Sequence, residues 1–139
     1  MLTVTRDIRI EWGDCDPAGI VFYPRYFEMF DAATNALFER AIGMIKLKAL
    51  AAHDFAGYPL VATRGRFLRP LRFGDDVVCE TAVTEVKRSS VQILHKLIKD
   101  GEVSVEGYET RVWVGWDPAN PKMLRAKSFP PDVAAKLSG

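Results

Sequence analysis

The sequence predicts an α+β fold in which an antiparallel sheet of about five strands wraps around one long helix. Three observations carry that expectation. Only the stretch 24–42 keeps a helical period over many turns. Most of the remainder consists of strand-like segments bounded by Gly, Pro and Asp. The later segments follow one another through short connections, which favours antiparallel neighbours. At 139 residues the chain is read as one domain, 1–139, long enough to bury about 70% of its unfolded surface.

Taken in order, Thr3 to Glu11 alternates, with Val4, Ile8 and Ile10 on one face and Thr3, Thr5, Asp7, Arg9 and Glu11 on the other. This reads as a half-exposed first strand. A turn-rich stretch, Glu11 to Pro24, follows. From Pro24, at about 100° per residue, Tyr26, Phe30, Ala33, Leu37 and Ala41 form one apolar stripe. Phe27 and Phe38 widen it, Glu28, Asn35 and Glu39 lie opposite, and Asp31 sits on the flank beside Phe27 and Phe38. Gly43 is a C-terminal stop. Residues 45–53 predict a short second helix that ends before Gly57-Tyr58-Pro59. Strands are expected at Leu60–Leu68, Val77–Val86, Ser90–Lys99 and Val103–Trp116, with Asp100-Gly101 as a hairpin turn. A loop at 117–121 and a short closing helix or frayed tail at Pro130–Leu137 complete the chain.

Bulk properties exclude several classes. Hydrophobic residues make up 48% and charged residues 27%, an ordinary globular balance. Lys+Arg is 19 against Asp+Glu 18, a net charge of +1, which argues against a general nucleic-acid or membrane-surface binder. No stretch has the roughly 18 apolar residues of a membrane span, and the first residues lack the apolar core of a signal peptide. Cys15 and Cys79 make no disulfide framework, so a reducing cytoplasm is the expected compartment. Two histidines and two separated cysteines predict no metal site, and no P-loop, dinucleotide fingerprint or nucleophile elbow is present.

The chemistry concentrates in the stretch before the long helix. Asp16-Pro17-Ala18-Gly19 places Asp, Pro and Gly at positions i, i+1 and i+3 of a type I turn, and Pro17 biases Asp16 to extended backbone. Pro24 suits the first helical position, where a missing N–H costs nothing. A carboxylate on a rigid turn thus precedes a helix start whose N–H groups have no internal partner and sit at the positive dipole end. That pairing suits acyl transfer: an ionised Asp attacks a carbonyl or deprotonates water, while a backbone N–H receives the oxyanion. Asp14 reads instead as a turn-stabilising acceptor.

The run from Gly13 to Tyr26 resembles the signature of hotdog-fold acyl-CoA thioesterases, in particular the 4-hydroxybenzoyl-CoA thioesterase family. Phe67 to Asp75 and Lys87-Arg88-Ser89-Ser90 resemble the same family less specifically. The resemblance covers residues from about 5 to 130 and implies the hotdog fold, with the sheet wrapped around the central helix. It implies that Asp16 is the catalytic carboxylate and that the Tyr23 amide polarises the thioester carbonyl. It implies that Asp31 contacts a phenolic hydroxyl of the substrate, and that Lys87, Arg88 and Ser89 bind the nucleotide end of coenzyme A. Tyr58 departs from the small hydroxyl residue expected there, which would reshape the acyl pocket. Homodimers joined sheet edge to sheet edge, or homotetramers, with active sites at subunit interfaces, are implied too. Coenzyme A is part of the substrate, and no separate cofactor is expected.

The expected activity is therefore hydrolysis of an acyl-CoA thioester, foremost an aryl-CoA such as 4-hydroxybenzoyl-CoA, with short- or medium-chain acyl-CoA as the alternative. Two rivals stand beside it: a hydratase or dehydratase using His53, and a non-catalytic acyl-CoA-binding domain. Arg64 and Arg66 share a strand face and read as solvated charges, with Arg69 and Arg72 completing a basic cluster. His95, in step with Val91, Ile93 and Leu97, reads as a satisfied core residue.

Overall fold

The computed structural model describes residues 1–52 and 54–139. The element order is β1 (Thr3–Arg9), α1 (Pro24–Ile42), α2 (Lys46–Ala52), β2 (Leu60–Phe67), β3 (Asp76–Val86), β4 (Ser90–Lys99), β5 (Glu102–Val112), β6 (Val114–Trp116), β7 (Leu124–Ala126) and α3 (Pro131–Ser138). Five strands form one antiparallel sheet in the order β1-β3-β4-β5-β2, and β6 pairs with β7 in a second, two-stranded sheet. This is the hotdog arrangement, with α1 on the concave face.

Helix α1 forms where the apolar period begins and stops where Gly43 takes φ of 82°, which closes the last turn with a Gly43 N–H to Glu39 carbonyl bond of 2.9 Å. All five residues of the expected stripe are buried, together with Thr34 and Phe38. Each large apolar side chain buried this way contributes about 1.5–3 kcal/mol. The facing side of the sheet supplies alternate residues: Val77, Cys79, Thr81 and Val83 from β3; Val91, Ile93, His95 and Leu97 from β4; Val105, Gly107, Glu109 and Arg111 from β5. Gly107 is required by contact. A Cβ there would lie 2.3 Å from the Phe30 ring.

Two expectations need correction. The Val103–Trp116 segment is not one strand. It breaks at Trp113, whose N–H donates to the Ser89 carbonyl (2.7 Å), and Val114–Trp116 leaves the main sheet to pair with the unanticipated β7. Strand β2 does not neighbour β3; it pairs with β5 at the sheet edge. The cause lies in segment 68–75, which is laced to the motif loop by Val21 N–H to Leu71 O (2.9 Å) and Ile10 N–H to Asp75 O (2.8 Å). It therefore runs across the sheet end and cannot double back as a hairpin. Of the two forms expected for the C-terminal segment, the helix is the one present, with Val133 and Leu137 buried and the Leu137 carbonyl held by Leu2 N–H at 3.0 Å.

Candidate active site

Between β1 and α1 the chain makes a short 3-10 turn at Trp12–Asp14, in which the Glu11 N–H donates to Asp14 Oδ2 at 2.9 Å. Asp14 thus serves its own turn. A small hairpin follows: Phe22 N–H donates to Asp14 O (2.8 Å), Cys15 bridges Val21, and Asp16 N–H donates to Ile20 O (3.0 Å). Its tip is the Asp-Pro-Ala-Gly turn, closed by Gly19 N–H to Asp16 O at 2.9 Å, with Gly19 at φ 80°. Asp16 Oδ1 accepts the Ala18 N–H at 2.8 Å, which fixes the side chain, and Oδ2 has no protein partner among the described residues. A carboxylate anchored by one oxygen and free at the other is arranged to attack or to take a proton.

The returning arm of this hairpin runs directly into α1. Tyr23 is the residue before the helix, with φ −52° and ψ −33°, and Pro24 occupies the first helical position. Tyr23 takes helical backbone although a following proline disfavours it. Its N–H donates to no acceptor among the described residues, so the amide remains available at the positive helix end. Beside it lies a pocket of about 290 Å³ lined by Ile20, Val21, Tyr23, Tyr26 and the Phe67–Pro70 segment. Burial pushes the Tyr26 phenol above its usual range.

Asp31 lies two turns along α1. Tyr23, Phe27 and Asp31 are spaced i, i+4, i+8 and so occupy one flank. The Asp31 side chain is 70% exposed, and its Oδ1 accepts a 2.8 Å bond from Nη2 of Arg111, which is only 7% exposed. Arg111 also donates from Nε and Nη2 to Glu109 (3.0 and 3.2 Å) and from Nη1 to the Tyr58 carbonyl (3.4 Å). Glu109 further accepts the Thr34 hydroxyl at 2.5 Å and lies 3.4 Å from His95 Nε2. Burial alone would raise the Glu109 carboxyl, but the bonds from His95, Arg111 and Thr34 outweigh it and hold the group at about 2. His95 is fully buried, with Nδ1 2.8 Å from the Thr81 hydroxyl, and is the satisfied core residue that its register predicts.

Tyr58 is placed in the core. Its ring stacks on Phe38 at 4.0 Å, and its hydroxyl donates to Asn35 Oδ1 at 2.5 Å. Burial drives its phenol strongly upward. Its carbonyl, through Arg111, is its link to the Asp31 cluster. Lys87, Arg88 and Ser89 form the β3–β4 turn, closed by Lys87 N–H to Ser90 O at 2.8 Å. Arg88 Nη1 donates to Ser128 Oγ at 2.9 Å, and the Arg88 carbonyl holds Phe129 N–H. This turn is the far end of β3 from the loop that anchors the Asp16 hairpin, roughly 30 Å away at about 3.3 Å per residue. One chain therefore carries Asp16 and Tyr23 on the two arms of one hairpin but holds Lys87–Ser89 apart from them. Arg64 packs over the Tyr108 ring at 3.8 Å on the outer sheet face, Arg66 approaches Glu106, and Arg69 pairs with Glu102. His53 lies outside the described residues. Among the described residues no group of three or more His, Cys, Asp or Glu side chains is placed to hold a metal. No helix among them is long and apolar enough to cross a membrane.

Sequence reasoning passed over Glu109 and Arg111. Their signal was register: both are in step with Val105 and Gly107 on the buried face of β5.

Comparison with known proteins gives this geometry a context. The chain is 30% identical over 135 residues to 4-hydroxybenzoyl-CoA thioesterase of Pseudomonas sp. (strain CBS-3), covering 94% of each protein. The solved structure of that enzyme superposes with a TM-score of 0.85, covering 96% of this chain and 98% of that one. A mutant of 4-hydroxybenzoyl-CoA thioesterase complexed with 4-hydroxybenzoyl-CoA matches at 28% identity and a TM-score of 0.84, over 97% and 98% of the two chains. A gentisyl-coenzyme A thioesterase structure matches at 30% identity and a TM-score of 0.82, covering 96% and 99%. The sequence profile of the thioesterase-like superfamily matches residues 10–137, and the chain belongs to that superfamily.

Proposed function

We propose that the protein hydrolyses aryl-CoA thioesters, 4-hydroxybenzoyl-CoA or a close hydroxylated relative, to the free acid and coenzyme A. The observation that carries this reading is the hairpin that anchors Asp16 by one oxygen and leads, without interruption, to the free Tyr23 amide at the start of α1. Asp16 attacks the thioester carbonyl or activates the attacking water, and the Tyr23 N–H stabilises the oxyanion. The thiolate leaves without a strong general acid. Asp31 receives the acyl hydroxyl further along the helix flank, and the Tyr58 ring stiffens that region from below. No separate cofactor or metal takes part in this reading. The two 30%-identical thioesterases act, by their names, on hydroxylated aryl-CoA substrates, which supports the substrate class.

The active form is a homodimer or larger homo-oligomer with sites shared between subunits. The distance between the Asp16 hairpin and Lys87–Ser89 within one chain supports this, because a coenzyme A bound at both needs the second group from another copy. Edge strand β2 supports it too: it is exposed along nearly its whole length, with Val61 at 59% and Phe67 at 52%. Free thiols at Cys15 and Cys79 fit a reducing cytoplasm.

The test is thiol release across aryl, short-chain and long-chain CoA thioesters, in wild type and Asp16→Ala. The variant should lose roughly 10²–10⁴ in kcat/KM while its thermal transition stays close to wild type, since the side chain anchors one turn N–H. Near wild-type turnover in Asp16→Ala would remove the proposed mechanism. Protection by coenzyme A without thiol release from any substrate would favour a binding domain.

A further inference from the structure

Beneath α1 lies a charged trio that the hydrolytic step does not use. Arg111 is buried at the inner face of β5, and its guanidinium is held on three sides: by Glu109, by the Tyr58 carbonyl and by Asp31. Glu109 is itself pinned by Thr34 from the helix. Arg111 therefore cannot swing away, and the one member of the trio that reaches solvent is Asp31. Such a buried assembly is not needed to keep the helix on the sheet, since apolar replacements of similar volume commonly serve stability as well or better.

We propose that Arg111 is a positioning residue for acyl recognition. It holds Asp31 Oδ1 so that Oδ2 is aimed along the flank to accept a hydrogen bond from a hydroxyl on the acyl group. The site thereby favours hydroxylated aryl-CoA over the unsubstituted analogue. The proposal rests on the reading of Asp31 given above and adds what makes that carboxylate effective. An unbraced Asp on an exposed helix flank samples several rotamers and must be ordered when substrate binds. The pair with Arg111 removes that cost in advance. Two carboxylates and one guanidinium leave the trio with a net formal charge of −1. It therefore suits a neutral hydrogen-bond donor and opposes an acyl carboxylate. A substrate lacking the hydroxyl covers Oδ2 without replacing its water, the situation in which discrimination is large. The guanidinium fork matters, because a lysine ammonium at this position neutralises Glu109 or Asp31 but does not bridge both with fixed geometry.

The experiment compares kcat/KM for 4-hydroxybenzoyl-CoA and benzoyl-CoA in wild type, Asp31→Asn, Arg111→Lys, Arg111→Gln and the Asp31→Asn/Arg111→Lys double variant. Arg111→Lys keeps a cation beside Glu109 and so carries the test if Arg111→Gln does not fold. The ratio between the two substrates should fall about tenfold in Arg111→Lys, mainly through KM for the hydroxylated substrate. It should fall similarly in Asp31→Asn, and no further in the double variant. A purely structural role for Arg111 predicts equal losses on both substrates with the ratio kept, and that result overturns the proposal. If Asp31→Asn itself keeps the ratio, the reading of Asp31 fails and this proposal falls with it. If Asp31→Asn collapses the ratio and Arg111→Lys does not, only the role of Arg111 is wrong.

Discussion

Glu109 shows how one buried side chain ties stability to pH. Its carboxyl is held at about 2, against an ordinary 4.5, by His95, Arg111 and Thr34 acting against burial. A depressed carboxylate stabilises the fold above its unfolded pKa, and that contribution drains away as pH falls from about 4.5 towards 2. The thermal transition should therefore hold level on this account above roughly pH 5.5 and drop steeply below 4.5. In Glu109→Gln the drop over that window should be much shallower, on a baseline lower by roughly 3–5 kcal/mol because Arg111 loses its main buried partner. Thermal scans from pH 2 to 7 check this; parallel curves for the two proteins would show that Glu109 is not the titrating group. Asp16 and Tyr23 present the opposite case, in which the local structure of the proposed site is written in the local sequence. Asp-Pro-x-Gly specifies the turn and Pro24 the helix start. The one local conflict, helical backbone at Tyr23 before proline, falls where a functional site is expected to override local preference.

At the scale of elements, the contact between α1 and β5 decides how closely helix and sheet approach. Phe30 is fully buried, stacks on His95 at 4.8 Å, and occupies the space over Gly107. Gly107→Ala forces a ring and a methyl into the same volume, and should cost about 1–3 kcal/mol. Urea unfolding would show this as a lower midpoint with an unchanged slope; a midpoint equal to wild type would mean that the helix shifts freely. The same interface explains what was legible in the sequence. The stripe on α1 was readable because one helical period is a local property. So were β3 and β4, whose alternation and hairpin connections are local. The place of β2 was not, because its alternation says nothing about which strand it joins, and the lacing of segment 68–75 to the motif loop is a long-range fact. Glu109 and Arg111 drew no reading in the sequence because each becomes tolerable in the core only through the other. Tyr58 looked like a pocket residue, but its ring belongs to the core because Phe38 and Asn35, distant in sequence, receive it.

The parts of the proposed site lie at two ends of the molecule. The Asp16 hairpin and Tyr23 amide lie where β3 begins, and the Lys87–Ser89 turn lies where β3 ends. Between them, on one side, runs the exposed edge of β2. An eight-residue edge strand with bare apolar side chains is a template for pairing, and isolated proteins usually blunt such edges with lysine or proline. Joining two copies along β2 in antiparallel fashion would place the hairpin end of one sheet against the opposite end of the other. Leu60→Lys with Val61→Lys changes side chains that are 42% and 59% exposed, so the cost to each folded subunit should stay within about 0.5 kcal/mol per site. Sedimentation velocity should show a dimer or larger species for wild type and a monomer for the double variant. Thiol release by the variant should fall in parallel with the fraction of dimer, and recover as protein concentration is raised. A monomeric variant with full turnover would mean that one chain holds a complete site. In that case the contacts to coenzyme A would have to come from cations nearer the hairpin, Arg69 and Arg72, and not from the far turn of the sheet.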